Sequence, residues 1–266
     1  MKKHSTGLLL LSTVFACGTP PQGGDWNNGD APPPGTAVSP TGGPVAATPG
    51  YEAVTVAEPA TVSGTVAYSG SETDPIVGIN QDKDTCGPDH PERPAGALLV
   101  NEGKLENVVV YLDGVKSGKN YAEGPIKIDN LQCNFVPRVA IGHKGGTVVA
   151  QNSDPVTHNT NMSLVQNNST IMNSSLKKGA ESKPNKLKKT GVVRVQCDLH
   201  EWMVGAVFVH DSPYAVLSNA DGSFSLSDVP AGEYTLKTWH EVLGHGPSTE
   251  IVVAANGDLS QDLTFE

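Results

Sequence analysis

From Ala60 onward, apolar and polar side chains alternate in short runs with the two-residue period of half-buried strands. Thr61-Val62-Ser63-Gly64-Thr65-Val66-Ala67-Tyr68 and Leu105-Glu106-Asn107-Val108-Val109-Val110-Tyr111-Leu112-Asp113-Gly114 are predicted strands. Residues 71 to 95, between them, are rich in Asp, Pro and Gly and are predicted as loop. Val204 to His210 is a further apolar strand. Asp221-Gly222 predicts a hairpin turn, and Pro230-Ala231-Gly232 separates two alternating strands between Ala220 and Leu236. Residues 159 to 191 are polar and rich in Asn, Ser and Lys. They are long for a loop and are expected to hold one or two short strands. The predicted fold class is all-β.

Composition agrees with that pattern. Aromatics are 5%, with 29 Gly and 20 Pro in 266 residues, which suits many short strands and turns in one large or two modest domains. A net charge of -10 argues against nucleic acid or an anionic membrane surface as the general partner. Against this background Lys177, Lys178, Lys183, Lys186, Lys188, Lys189 and Arg194 face Glu181 alone as an acid in that stretch. They read either as a solvated loop or as a docking patch for an acidic partner protein. Residues 18 to 58 hold almost no large apolar side chain and cannot offset their ordering entropy, so they are expected to be a disordered tether. Ahead of them, Lys2, Lys3 and the apolar run from Gly7 to Ala16 have the shape of a signal peptide, too short for a bilayer span.

The densest chemistry lies in Cys197-Asp198-Leu199-His200-Glu201-Trp202-Met203, where a thiol, an imidazole and a thioether recur every three residues. A soft thiolate with a thioether selects copper over hard cations, and a Cys with two His and a weak axial Met is the blue-copper ligand set. The second His is supplied best by His158, in Asn152-Ser153-Asp154-Pro155-Val156-Thr157-His158-Asn159. With Phe135-Val136-Pro137 and Gly145 to Ala150 upstream, these residues resemble the cupredoxins, and the short loop looks most like that of the amicyanins. The resemblance implies a Greek-key β-sandwich holding one type 1 copper. His158, Cys197 and His200 would be strong equatorial ligands and Met203 the weak axial one. Asn159 would brace the loop, its amide approaching the thiolate sulfur. The ring edge of His200 would reach the surface, with Leu199 and Trp202 as an apolar docking rim. The implied role is single-electron transfer with a protein redox partner and no small-molecule substrate, not catalysis. Multicopper oxidases and nitrite reductases need extra His-x-His clusters, and a binuclear site needs two loop cysteines. The alternative is a copper-binding surface module for storage, delivery or protein interaction.

Two further resemblances frame this module. Val14-Phe15-Ala16-Cys17-Gly18 resembles the lipobox of bacterial lipoproteins, which implies lipid on Cys17 and an outer-membrane location. Gly64 to Ala67, Asn107 to Tyr111 and Ala220 to Leu236 resemble the carboxypeptidase regulatory-like domain, a transthyretin-like β-sandwich. The expected division is a signal peptide and lipobox (1–17), a tether (18–58), the first part of that sandwich (59–120), a cupredoxin domain (121–211) and the rest of the sandwich (212–266). A tandem arrangement is the alternative to this insertion. With Cys17 and Cys197 accounted for, Cys86 and Cys133 remain, and two spare thiols in a secreted domain usually close a disulfide. Two buried free thiols are the alternative. His240, Glu241 and His245 suit no standard metal motif, and a turn explains them as well. Asp82, Asp84, Asp89 and His90 read as solvated loop groups rather than as a second cation site.

Overall fold

The computed structural model describes residues 50–266, so the expected signal peptide, the lipid-bearing Cys17 and most of the tether lie outside the described residues. The last part of the expected tether is ordered. Glu52–Ala53 pairs in parallel with Ser117–Gly118, and the Tyr51 ring packs 5.2 Å from that of Tyr121 while its hydroxyl donates to the Lys119 carbonyl. One aromatic and two ladder bonds hold a stretch whose composition alone reads as linker.

Two β-sandwiches follow, and the chain passes from the first to the second and back. In the first, one sheet runs Ala215–Leu217, Val109–Asp113, Gly232–His240, Gly244–Val253. Its facing sheet is built on Ala60–Tyr68, which pairs with Ser223–Val229, Lys104–Leu105 and the two final strands, Asp258–Ser260 and Leu263–Phe265. Alternation places Val62, Val66, Val110, Leu112, Phe224, Leu226 and Leu236 in the shared core.

Residues 126–210 build the second sandwich. One sheet runs Asn134–Val136, Ile126–Leu131, Thr147–Asn152, Asn185–Lys186. The other runs Val139–His143, Val204–His210, Gly191–Gln196, His158–Leu164, Ser169–Leu176. Ile128, Phe135, Val148, Met162, Val193 and Val207 fill the space between them. The stretch 159 to 191 holds more strand than expected, a hairpin of seven and eight residues plus Asn185–Lys186. Its inward positions, Met162, Leu164, Met172 and Leu176, are apolar, but the Asn, Ser and Thr between them dilute the signal.

Val109–Asp113 and Val204–His210 are apolar up to their last residue because each is covered on both faces. Val207 and Val209 enter the second core, whereas Ala206 and Phe208 turn outward and meet Val109, Tyr111 and Trp239 of the first sandwich. Phe208 lies 4.9 Å from the Tyr111 ring and 5.7 Å from that of Trp239. Beside this apolar seam Arg138 Nε donates to Glu241 Oε1 at 2.6 Å, joining the sandwiches through a buried ion pair.

The expected loop at 71 to 95 is also structured. Ile76–Gly78 pairs with Glu92–Pro94, and a single helical turn, Lys83–Cys86, lies at the tip of this arm. The arm belongs by sequence to the first sandwich, but Ile79 and Cys86 are buried in the core of the second. Cys86 is disulfide-bonded to Cys133, with Cα atoms 5.4 Å apart. Among the described residues no helix is long and apolar enough to cross a membrane.

Candidate metal centre

The turn 197–203 joins two neighbouring antiparallel strands, Gly191–Gln196 and Val204–His210, and is closed by its own backbone. The Cys197 amide donates to the Met203 carbonyl at 3.1 Å, and the Met203 amide to the His200 carbonyl at 2.9 Å. This compact loop points Cys197 and His200 toward the strand His158–Leu164, whose first residue is His158. One donor atom each from His158, Cys197 and His200 lies within 4.8 Å of the others. His158 Nδ1 and His200 Nδ1 are 3.0 Å apart, and Cys197 Sγ is 3.5 Å from His200 Nδ1. Met203 is fully buried in the same core, beside Cys197 and Trp202.

The outer nitrogens of the two rings fix the chemistry of the inner ones. His158 Nε2 is 2.9 Å from Asp154 Oδ2, and His200 Nε2 is 2.8 Å from Asp82 Oδ2. An ionised carboxylate can only accept, so each Nε2 carries the proton, and in a neutral ring Nδ1 is then a bare lone pair. Burial holds the His158 imidazole below its ordinary pKa, against the upward pull of Asp154, which favours that neutral form. Two nitrogen lone pairs therefore face each other at 3.0 Å with a sulfur beside them. They repel one another unless a cation lies between them, and a carboxylate–imidazole pair behind each ligand is the usual support of a metal site. Imidazole, imidazole and thiolate make a soft, mixed donor set, which fits copper.

The surrounding residues hold this arrangement. The Asn159 amide donates to Cys197 Sγ at 3.3 Å, and its side chain bridges the loops, donating to Asn173 Oδ1 at 2.7 Å and accepting from the Asp198 amide at 3.3 Å. Asp154 accepts the amides of Gln132 and Cys133 at 2.7 Å each, so this buried carboxylate is multiply satisfied. Asn152 pins the turn ahead of His158 through bonds to the carbonyls of Val156 and Leu176, both at 2.8 Å. Cys197 is the free cysteine among the described residues.

The expected docking rim needs correction. His200 is 0% exposed and Trp202 only 6%, while Leu199 remains at the surface, 41% exposed. Trp202 turns inward because its indole N–H donates to the Cys133 carbonyl at 3.2 Å, and its ring lies 5.0 Å from that of His200. The arm at 76–94 covers His200, so the ring edge that the resemblance places at the surface meets Asp82 instead. Asp82 therefore serves the site, whereas Asp84, Asp89 and His90 form no ligand cluster with it. Among the described residues, the one other His/Cys/acid cluster is Cys133, Asp154 and His158, which relies on a disulfide sulfur. His240, Glu241 and His245 also stay apart. His240 is buried and accepts from the amides of Val242 and Leu243, Glu241 is bound to Arg138, and His245 lies exposed opposite Trp239.

The second sandwich thus holds Cys197, His200 and Met203 in one interstrand turn and His158 at the head of a neighbouring strand, the placement that the sequence's resemblance to the cupredoxins implies. No protein-family model and no curated protein sequence matches the chain. Solved structures similar to part of it include a purple cupredoxin from Nitrosopumilus maritimus, at 27% identity over 32% of this chain and 98% of that one, with a TM-score of 0.27. They also include the reduced Cu(I) form of an amicyanin point mutant, at 20% identity over 38% and 97% of the chains and a TM-score of 0.30. A copper-containing nitrite reductase from Thermus scotoductus is similar at 21% identity over 35% of this chain and 24% of its own, with a TM-score of 0.31.

Proposed function

We propose that this protein is a type 1 copper protein that carries single electrons between redox partners of a bacterial envelope. The observation that carries the reading is the convergence of the His158 and His200 Nδ1 lone pairs and the Cys197 sulfur, each imidazole backed by a carboxylate. Copper held there supplies a one-electron couple. The protein's part is to hold the donors in one arrangement for both oxidation states. Asp154 and Asp82 fix the two rings, Asn159 donates to the sulfur, and the core around Met203 keeps water away. With both imidazoles and the thiolate buried, a substrate has no approach to the donors, which supports electron transfer over bond chemistry. The same burial weighs against ready handover of copper to another protein, as storage or delivery would require.

In this reading Cys17 bears lipid and tethers the module to the outer membrane. The first sandwich, a regulatory-like domain, then acts as its mount. Binding Cu(II) to the wild type and to Cys197→Ala tests the copper reading. An intense visible thiolate-to-copper band with a narrow parallel hyperfine splitting, lost in the variant, is the expected result. A colourless protein, or a spectrum the substitution leaves unchanged, excludes a type 1 site.

A further inference from the structure

We propose that Asp82 is a positioning residue for the ligand His200, so that the first sandwich sets the redox balance of the metal site in the second. The inference rests on the copper reading above. Asp82 Oδ2 accepts from His200 Nε2 at 2.8 Å, although 118 residues separate the two in the chain. His200 is fully buried, while the Asp82 side chain is 46% exposed. The carboxylate is thus the group interposed between the imidazole edge and solvent.

Three features mark this contact as built. Asp82 stands at the N-cap of the turn Lys83–Cys86 with φ 44° and ψ 40°, in the left-handed region, which most side chains avoid and Asp and Asn tolerate. An Asp at an N-cap ordinarily bonds the free amides of its own helix. Here the side chain makes no such cap bond and reaches the imidazole instead. The arm is also held from several directions. Ile79 is buried in the second core, Cys86 is bonded to Cys133, and Arg93 donates to the Cys133 carbonyl and Asn134 Oδ1, both at 2.9 Å. At the arm's base, Asp74 accepts the amides of Gly96, Ala97 and Leu98. A contact held by that many anchors is pre-organised. It keeps the His200 ring from rotating away when the charge at the site changes.

The sign of the effect follows from electrostatics. A carboxylate on the outer N–H makes the inner nitrogen a stronger donor and adds a negative charge near the metal. Both favour Cu(II) over Cu(I) and lower the reduction potential. Asp82→Asn removes the charge and keeps an acceptor at a backbone conformation that Asn tolerates, so folding is preserved. Asp82→Ala removes both. Asp84→Asn, an exposed acid on the same turn that does not touch the ligand, controls for general charge.

The experiment compares the copper-loaded full chain with these three variants by absorption spectroscopy and by redox titration. Both Asp82 variants are expected to keep the thiolate band. They should lose at least a tenfold preference for Cu(II), an upward shift of about 59 mV for one electron, and Asp84→Asn should move far less. In copper-free protein, the His200 Nε2 proton should be protected from solvent exchange in the wild type and exchange freely in Asp82→Ala. Absence of the band in the wild type overturns the copper reading and this one with it. A band in all four proteins with one common potential, or equal proton exchange with and without Asp82, overturns the role of Asp82 alone.

Discussion

Asp154 accepts two main-chain amides and the outer nitrogen of His158 while nearly out of reach of solvent. Removing it frees the imidazole to turn. Asp154→Ala is expected to weaken Cu(II) binding about 10- to 100-fold, read by competition titration against a chelator of known affinity. His240 sets a different test. Burial, and then the charge of Arg138, push its pKa down to about 4, whereas in the unfolded chain it titrates near 6.5. Between those values the unfolded state binds the proton and the folded state does not. Stability present above about pH 6.5 is therefore lost as the pH falls toward 4, by about 3 kcal/mol in all. Glu241 acts in the opposite direction, since burial raises its carboxyl to about 7, so the His240 contribution is read as the difference in pH dependence between the wild type and His240→Leu in denaturant titrations at several pH values. Among individual residues, Cys197, His200 and Met203 were legible from their spacing, and His158 from its place in the order of the family motif. The role of Asp82 was not, because loop acids look alike until the arm folds over His200. Nor was the burial of Trp202, whose indole partner is a carbonyl 69 residues away.

Elements carry a second set of consequences. The arm at 76–94 is stapled at its far end, and the loop closed by Cys86 and Cys133 spans 47 residues. On the chain-entropy account, that link stabilises the fold by about 4 kcal/mol. Cys86→Ser with Cys133→Ser should lower the denaturant midpoint accordingly, with the m-value little changed if the unfolded ensembles expose similar surface. Strands were predicted at both Val109–Asp113 and Val204–His210, and the near-continuous apolar character of each is what a strand covered on both faces requires. The hairpin 158–176 was underread for the opposite reason. Its outward face is Asn, Ser and Thr, and only every second residue near its centre reaches the core.

For the whole molecule, the seam of Phe208, Tyr111 and Trp239, the Arg138–Glu241 pair and the stapled arm make the two sandwiches one mechanical body. Calorimetry is expected to show a single unfolding transition. Phe208→Ala, which removes the ring between the sandwiches, should cost about 3–5 kcal/mol and separate the transition into two steps. Chelation should lower the wild-type midpoint, since a ligand present at 1,000 times its Kd stabilises by about 4 kcal/mol. The all-β class was legible from strand periodicity and the two sandwiches were expected from the family resemblances, but the seam was not legible, because facing strands leave no shared spacing in the chain. Tyr111 pairs with Ala215 on one antiparallel ladder, so the chain leaves the first sandwich and re-enters it at neighbouring places. The second sandwich is thus a cassette with adjacent ends. A hairpin loop of about two to five residues could replace it and leave the host sheet's pairings intact, provided the uncovered face of Val109, Tyr111 and Trp239 were made polar. Transplanted without its host, however, the cassette would leave behind the carboxylate that meets His200, and that imidazole edge would face water instead.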